Sequence, residues 1–199
     1  MKVVLVDSGG ANIGSVRYAL ERLGVDAAMT ADADVIRGAD RVILPGVGAA
    51  LPAMARLNEL GLVPLLRELR QPLLGICLGM QLLFEGSEEG DVDCLGLIPG
   101  RVRRMPPSPG IRIPHMGWNR LQPTRADPLL DGVAHGGQAY FVHSYAAPVT
   151  DDCLAVCEHG APFAAMVRRG NVAGAQFHPE RSGAVGARLL QNFLQADPA

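Results

Sequence analysis

The sequence predicts an α/β fold in a single domain over residues 1–199, with a central, mostly parallel sheet flanked by helices and additional strands in the second half. Three observations carry that expectation. The chain has 199 residues, which suits one domain at about 100–200 residues each. Residues 1–86 alternate short, unbroken apolar runs with stretches of helical periodicity. Unbroken apolar runs are the mark of strands covered on both faces, as parallel strands are.

The elements follow in order. Residues 2–7 form the first apolar run and the first strand. A turn cluster, Asp7 to Asn12, leads to Ile13, Val16, Leu20 and Leu23 at helical spacing, and Gly24 stops that helix. Val25 to Met29 and Arg41 to Leu44 are the next strands. Residues 51–70 carry helical patterning interrupted by Gly61 and Pro64. Leu73 to Ile76 is a further buried strand, and Leu78 to Phe84 reads as a helix. Beyond Gly86 the pattern changes. Residues 90–125 are rich in Gly and Pro, while 139–145, 153–157, 163–168 and 171–177 read as strands that extend the same sheet. A last helix starts near Ser182 and buries Val185, Leu189, Leu190 and Phe193.

Composition excludes several function classes. Apolar residues make up 48% and charged residues 19%, and the formal net charge is -2. That is a globular balance with no electrostatic footprint for nucleic acid or an anionic membrane. No apolar stretch reaches the roughly 20 residues of a membrane span. Asp7 interrupts the N-terminal run too early for a signal-peptide core, so a cytoplasmic location is expected. Four cysteines without a secretion signal do not read as a disulfide framework. Neither Cys-x2-Cys nor His-Glu-x-x-His occurs, so no metal is expected, and Gly10 to Gly14 does not satisfy Gly-x-Gly-x-x-Gly, so no cofactor is expected.

The chemistry concentrates in three strand ends. Gly75-Ile76-Cys77-Leu78-Gly79 has the Gly-x-nucleophile-x-Gly form of a strand-to-helix elbow with Cys as nucleophile. The turn is sharp, so its flanks are small. The helix that follows points its N-terminus at the sulfur, which favours the thiolate, and frees the Leu78 N–H to hold an oxyanion. A buried, inert cysteine is the competing reading of Cys77. Pro45-Gly46-Val47-Gly48 also follows a strand, and two glycines let its backbone approach a ligand and offer a second oxyanion donor. Without Cys77 it would read as an ordinary turn. In Gln176-Phe177-His178-Pro179-Glu180, His178 and Glu180 stand two apart, which in extended chain puts both on one side. Glu180 then holds the imidazole while His178 takes the proton of Cys77. Cys153 and Cys157 read as small core residues on one strand face. Arg101, Arg103 and Arg104 read as a solvated edge.

At these segments the chain resembles the class I, triad-type glutamine amidotransferases. Leu97 to Gly100, Pro114-His115-Met116-Gly117-Trp118-Asn119 and Tyr140-Phe141-Val142-His143-Ser144-Tyr145 extend the resemblance over essentially the whole chain. The resemblance implies a glutaminase that passes through a cysteine thioester and releases ammonia. It implies that Gln81 contacts the bound glutamine, that Glu89 holds its amino group, and that His143, Ser144 and Tyr145 flank the pocket. It also implies a heterodimer with a cyclase subunit, a (β/α)8 barrel that receives the ammonia, with Asn12, Met116, Trp118 and Tyr140 toward that partner. The family's Asp-Tyr-Gly-x-Gly-Asn loop is here Asp7-Ser8-Gly9-Gly10-Ala11-Asn12, which leaves the interface detail there open. Three other readings remain: a glutaminase serving a different acceptor, a stand-alone cysteine hydrolase of the same fold, and a scaffold with a dead site.

Overall fold

A computed structural model describes residues 1–9 and 13–195. The chain opens with β1 (Val3–Val6), α1 (Ile13–Arg22), β2 (Ala27–Thr30), α2 (Ala33–Arg37) and β3 (Arg41–Gly46). It continues through α3 (Ala50–Glu59), α4 (Leu62–Glu68), β4 (Leu73–Cys77) and α5 (Leu78–Leu82). Strands then dominate: β5 (Phe84–Ser87), β6 (Val92–Asp93), β7 (Ile98–Arg104), β8 (His115–Arg120) and β9 (Gln122–Pro123). They are followed by β10 (Gln138–His143), β11 (Tyr145–Ala146), β12 (Cys153–Glu158), β13 (Pro162–Arg169), β14 (Val172–Ala175) and α6 (Gly183–Gln195).

Eight strands form one mixed sheet in the order β2-β1-β3-β4-β14-β13-β12-β9. The contacts among β2, β1, β3, β4 and β14 are parallel and those beyond are antiparallel. Alternation along a strand splits the core in two. Val3 and Leu5 face Val16 and Leu20 of α1 and Leu189, Leu190 and Phe193 of α6. Val4 and Val6 face Ile36 of α2, Met54 and Leu57 of α3, and Leu62 and Leu66 of α4. This is a single-domain α/β architecture with helices on both faces of a large sheet. Pro64 does not interrupt the second helical stretch. It sits in the first turn of α4, where the N–H it lacks has no intrahelical partner to lose.

Three further expectations need correction. The second half only partly extends the sheet. β8 and β10 pair as a separate antiparallel ribbon, and β11, β7, β5 and β6 form a small four-stranded sheet. Burial along β8 and β10 alternates, with one face open, so the ribbon's pattern differs from that of the two-face-covered strands. The helix after the elbow ends at Leu82, and Phe84 already belongs to β5. Cys153 and Cys157 lie on opposite faces, one in each core cluster. A register shift in β12 between them breaks the two-residue alternation.

Candidate active site

Register brings the three strand ends together. β3 pairs with β4 so that Gly46 lies opposite Cys77, and β14 pairs on the other side with Ala175 opposite Ile76. Gly46, Cys77 and the Gln176–His178 segment therefore leave the carboxyl edge of the sheet side by side, where open α/β sheets place their ligands. A cavity of about 230 Å³ opens there. Val47, Gly48, Cys77, Leu78, Gln81, Glu89, Val142, His143, Ser144, Tyr145 and His178 line it.

The backbone at Cys77 is held at φ 53°, ψ -112°. These are close to the angles of the first central residue of a type II′ turn, a position dominated by glycine. A β-carbon on Gly79 would stand 1.8 Å from the Leu44 carbonyl oxygen, and one on Gly75 would stand 2.6 Å from the Gly79 carbonyl oxygen. Both flanking glycines are thus required by space. Gly46 is required for the same reason, because its β-carbon would lie 2.9 Å from the Gly79 nitrogen. The left-handed residue of that loop is Gly48, at φ 95°.

His178 is 4% exposed. Its Nδ1 lies 2.8 Å from Glu180 Oε1. The pair forms as expected, but not through extended chain: Pro179–Arg181 is a turn of 3-10 helix, which brings the Glu180 carboxylate to the Nδ1 edge of the ring. Ser182 does not spend its hydroxyl on capping α6 as expected; the hydroxyl donates to the His178 carbonyl at 2.7 Å and accepts the Tyr140 N–H at 2.9 Å. Nε2 of His178 is buried with no conventional hydrogen bond. Burial alone would push this imidazole down. The neighbouring Cys77 sulfur and the Glu180 carboxylate outweigh it and raise the group to about 10. Burial pushes Cys94 and Cys153 up to about 11 and Cys157 to about 12, which keeps them protonated and inert.

The pocket wall is a directional hydrogen-bond chain. Gln81 donates to the Tyr145 carbonyl at 2.9 Å and to Gln176 Oε1 at 3.0 Å. Gln176 in turn reaches the Cys77 sulfur at 3.9 Å. Both amide protons of Gln81 are used, which leaves its oxygen for a ligand. His143 bonds the same carbonyl through Nδ1 at 2.8 Å, so Nδ1 carries the proton and Nε2 accepts from His115 Nδ1 at 3.0 Å. Asn119 then donates to His115 Nε2 at 3.2 Å. Burial and the adjacent His143 and His159 hold His115 down to about 3; burial outweighs the Tyr145 carbonyl and holds His143 at about 4. Gln176, Val142 and His115 had no role of their own in the sequence pattern. Gln176 was within reach of the argument used for Glu180, since it stands two residues before His178.

Met116 and Trp118 of β8 are 64% and 54% exposed, so Trp118 is no core residue. The Trp118 ring meets Tyr140 of β10 edge-on at 6.0 Å, and Arg181 lies 4.5 Å over the Tyr140 ring. Asn12 lies outside the described residues. Among the described residues no helix is long and apolar enough to cross a membrane, and no group of three or more His, Cys, Asp or Glu could hold a metal ion.

The family model described as class I glutamine amidotransferase matches residues 4–196. The HisH subunit of imidazole glycerol phosphate synthase from Xylella fastidiosa (strain Temecula1) is 64% identical over 198 residues, covering 100% of this chain and 99% of its own. Its counterpart from Xanthomonas axonopodis pv. citri is 66% identical over 193 residues, covering 97% and 96%. Among solved structures, a crystal structure of a glutamine amidotransferase superposes with a TM-score of 0.74 at 22% identity, over 96% of this chain and 97% of that one. PurLQS from Thermotoga maritima superposes with a TM-score of 0.69 at 21% identity, over 98% and 97%. These two likenesses speak to the fold. The chain belongs to the class I glutamine amidotransferase family and, within it, to the HisH subunits of imidazole glycerol phosphate synthase.

Proposed function

We propose that Cys77, His178 and Glu180 carry out the glutaminase step of this family, within one amidotransferase domain spanning residues 1–199. The observation that carries the reading is the meeting of a strained cysteine elbow with a carboxylate-held histidine in one cavity. At about 230 Å³ it is smaller than the roughly 300–1,000 Å³ of drug-sized sites, which suits a single amino acid. The Cys77 sulfur attacks the side-chain amide carbon of glutamine, and the carbonyl oxygen becomes an oxyanion beside the Leu78 N–H. His178, held protonated by its neighbours, carries the proton of Cys77 before the attack and gives it to the departing nitrogen, so the C–N bond breaks and ammonia leaves. Water, deprotonated by His178, then cleaves the thioester and releases glutamate. Glu180 keeps the ring oriented and stabilises its charge. Gln81, Glu89, His143, Ser144 and Tyr145 bind the substrate.

The acceptor chemistry belongs to the partner, the cyclase subunit of imidazole glycerol phosphate synthase, a (β/α)8 barrel in a cytoplasmic heterodimer serving histidine biosynthesis. Met116, Trp118 and Tyr140 face it; the exposure of an aromatic and a methionine on one ribbon supports that placement. The partner activates the site by rotating the Gly46–Val47 peptide so that the Val47 N–H joins Leu78 as a second oxyanion donor. One such donor is worth about 3 kcal/mol, roughly a hundredfold or more in rate. The test uses the assembled synthase. Cys77→Ala should abolish glutamine-dependent synthesis by many orders of magnitude and spare synthesis from ammonium salts. Normal use of glutamine by that variant would refute the assignment. Glutaminase rates of the subunit alone, with the cyclase, and with cyclase plus acceptor ligand should rise in that order; three equal rates would refute the switch.

A further inference from the structure

We propose that Glu89 also positions the oxyanion loop: one carboxylate oxygen fastens the N-terminus of α3, while the other is left for the ammonium group of the substrate. The inference rests on the site reading above and extends it. Helix α3 begins two residues after Gly48. Its N-cap, Ala49, has an extended backbone and no side-chain oxygen to offer, so the first-turn N–H groups need an acceptor from elsewhere. Glu89 Oε2 supplies it, accepting the Ala50 N–H at 3.0 Å.

The turn that carries Glu89 is itself held firmly. The Glu89 N–H donates to Ser87 Oγ at 3.1 Å, and Ser87 is fully buried. Gly90 adopts φ 82°, and a β-carbon there would stand 2.6 Å from the Leu51 β-carbon. The turn is thus pressed against the first turn of α3. At the other end of the loop Gly46 is packed against the elbow. Residues 47–49 are a short span between two fixed points, and Val47 and Gly48 line the same cavity as Glu89. A substrate ammonium that fixes the carboxylate therefore also fixes the loop that delivers the oxyanion donor.

The test compares Glu89→Gln and Glu89→Ala in the assembled synthase. Glutamine at this position keeps an oxygen for the Ala50 N–H but loses the charge. It should raise KM about tenfold or more, as loss of a charged hydrogen bond does, with kcat nearly kept. Alanine should raise KM equally and also lower kcat about fivefold, the size of a lost helix cap. Amide hydrogen exchange of residues 46–52 in the unliganded complex reads the anchor without any substrate: it should quicken in Glu89→Ala and not in Glu89→Gln. Equal kcat and equal exchange in the two variants would overturn the anchoring. An unchanged KM in both, with exchange still different, would overturn the ammonium assignment and leave the anchor standing. If Glu89→Ala fails to fold, Gly90→Ala provides the second variant. It pushes on Leu51 without touching the carboxylate and should lower kcat at constant KM; an unchanged kcat would count against the proposal.

Discussion

Replacing Cys77 by glycine should leave the chain more stable than replacing it by alanine, although glycine ordinarily weakens a structure. At φ 53° and ψ -112° an L-residue occupies a conformation that costs about 1–3 kcal/mol. The type II′-like angles, outside even the left-handed helical region, argue for the upper end. Alanine keeps that cost; glycine removes it. Against this, glycine loses about 0.8 kcal/mol of methyl burial at a site only 7% exposed. It also pays up to about 1 kcal/mol in unfolded-state entropy. Removing about 3 kcal/mol of strain leaves about 1 kcal/mol in favour of glycine, or roughly 2–4 °C in Tm for a domain of this size. Thermal and urea unfolding followed by far-ultraviolet circular dichroism suit the measurement, since the only tryptophan, Trp118, is half exposed. If Cys77→Ala proved as stable as Cys77→Gly, the elbow would store no strain and the reasoning would fail.

Two further outcomes are expected. Glu180→Gln should harm glutaminase turnover less than His178→Ala, because in the proposed mechanism the carboxylate orients while the imidazole moves protons; equal or reversed losses in steady-state kinetics of the complex would give Glu180 another role. Stability should fall steeply as pH drops from 6.5 toward 4. His115 and His143 are held at about 3 and about 4 in the folded chain, so below 6.5 only the unfolded chain takes up their protons, at about 1.4 kcal/mol per pH unit for each. His178 works in the opposite sense: raised to about 10, its contribution is complete below 6.5 and is lost as pH climbs through 10. Urea titrations at pH 7, 6 and 5 would show this, and a flat profile would contradict it.

The legible part of the molecule was the part ruled by backbone sterics and two-sided burial. Gly75 and Gly79 announce the elbow because no larger residue fits against Leu44 and the α5 backbone. β1, β3 and β4 announce themselves because both faces are covered. The β8–β10 ribbon was not legible as a separate unit, since alternating burial marks one open face and does not say which strands pair. The register shift in β12 left no mark either, because register depends on the partner strand and not on the residues that shift. His178 and Glu180 were found as a pair through the wrong backbone, for a 3-10 turn and an extended segment both bring residues two apart within reach of one another. Gln176 and His115 act through partners distant in sequence, Gln81 and His143, and such long-range pairs are not written in local pattern.

The most direct test of the central claim is covalent. A glutamine analogue bearing an electrophilic carbon in place of the amide, incubated with the assembled synthase and followed by peptide mass analysis, reports which sulfur attacks. All four cysteines are buried, but only Cys77 opens into the cavity, and the other three thiols are held at about 11 or 12. The expected result is a single adduct on the peptide containing Cys77, suppressed by excess glutamine and lost in Cys77→Ala. An adduct on Cys94, Cys153 or Cys157, or labelling that glutamine does not suppress, would contradict the assignment of Cys77 as the nucleophile.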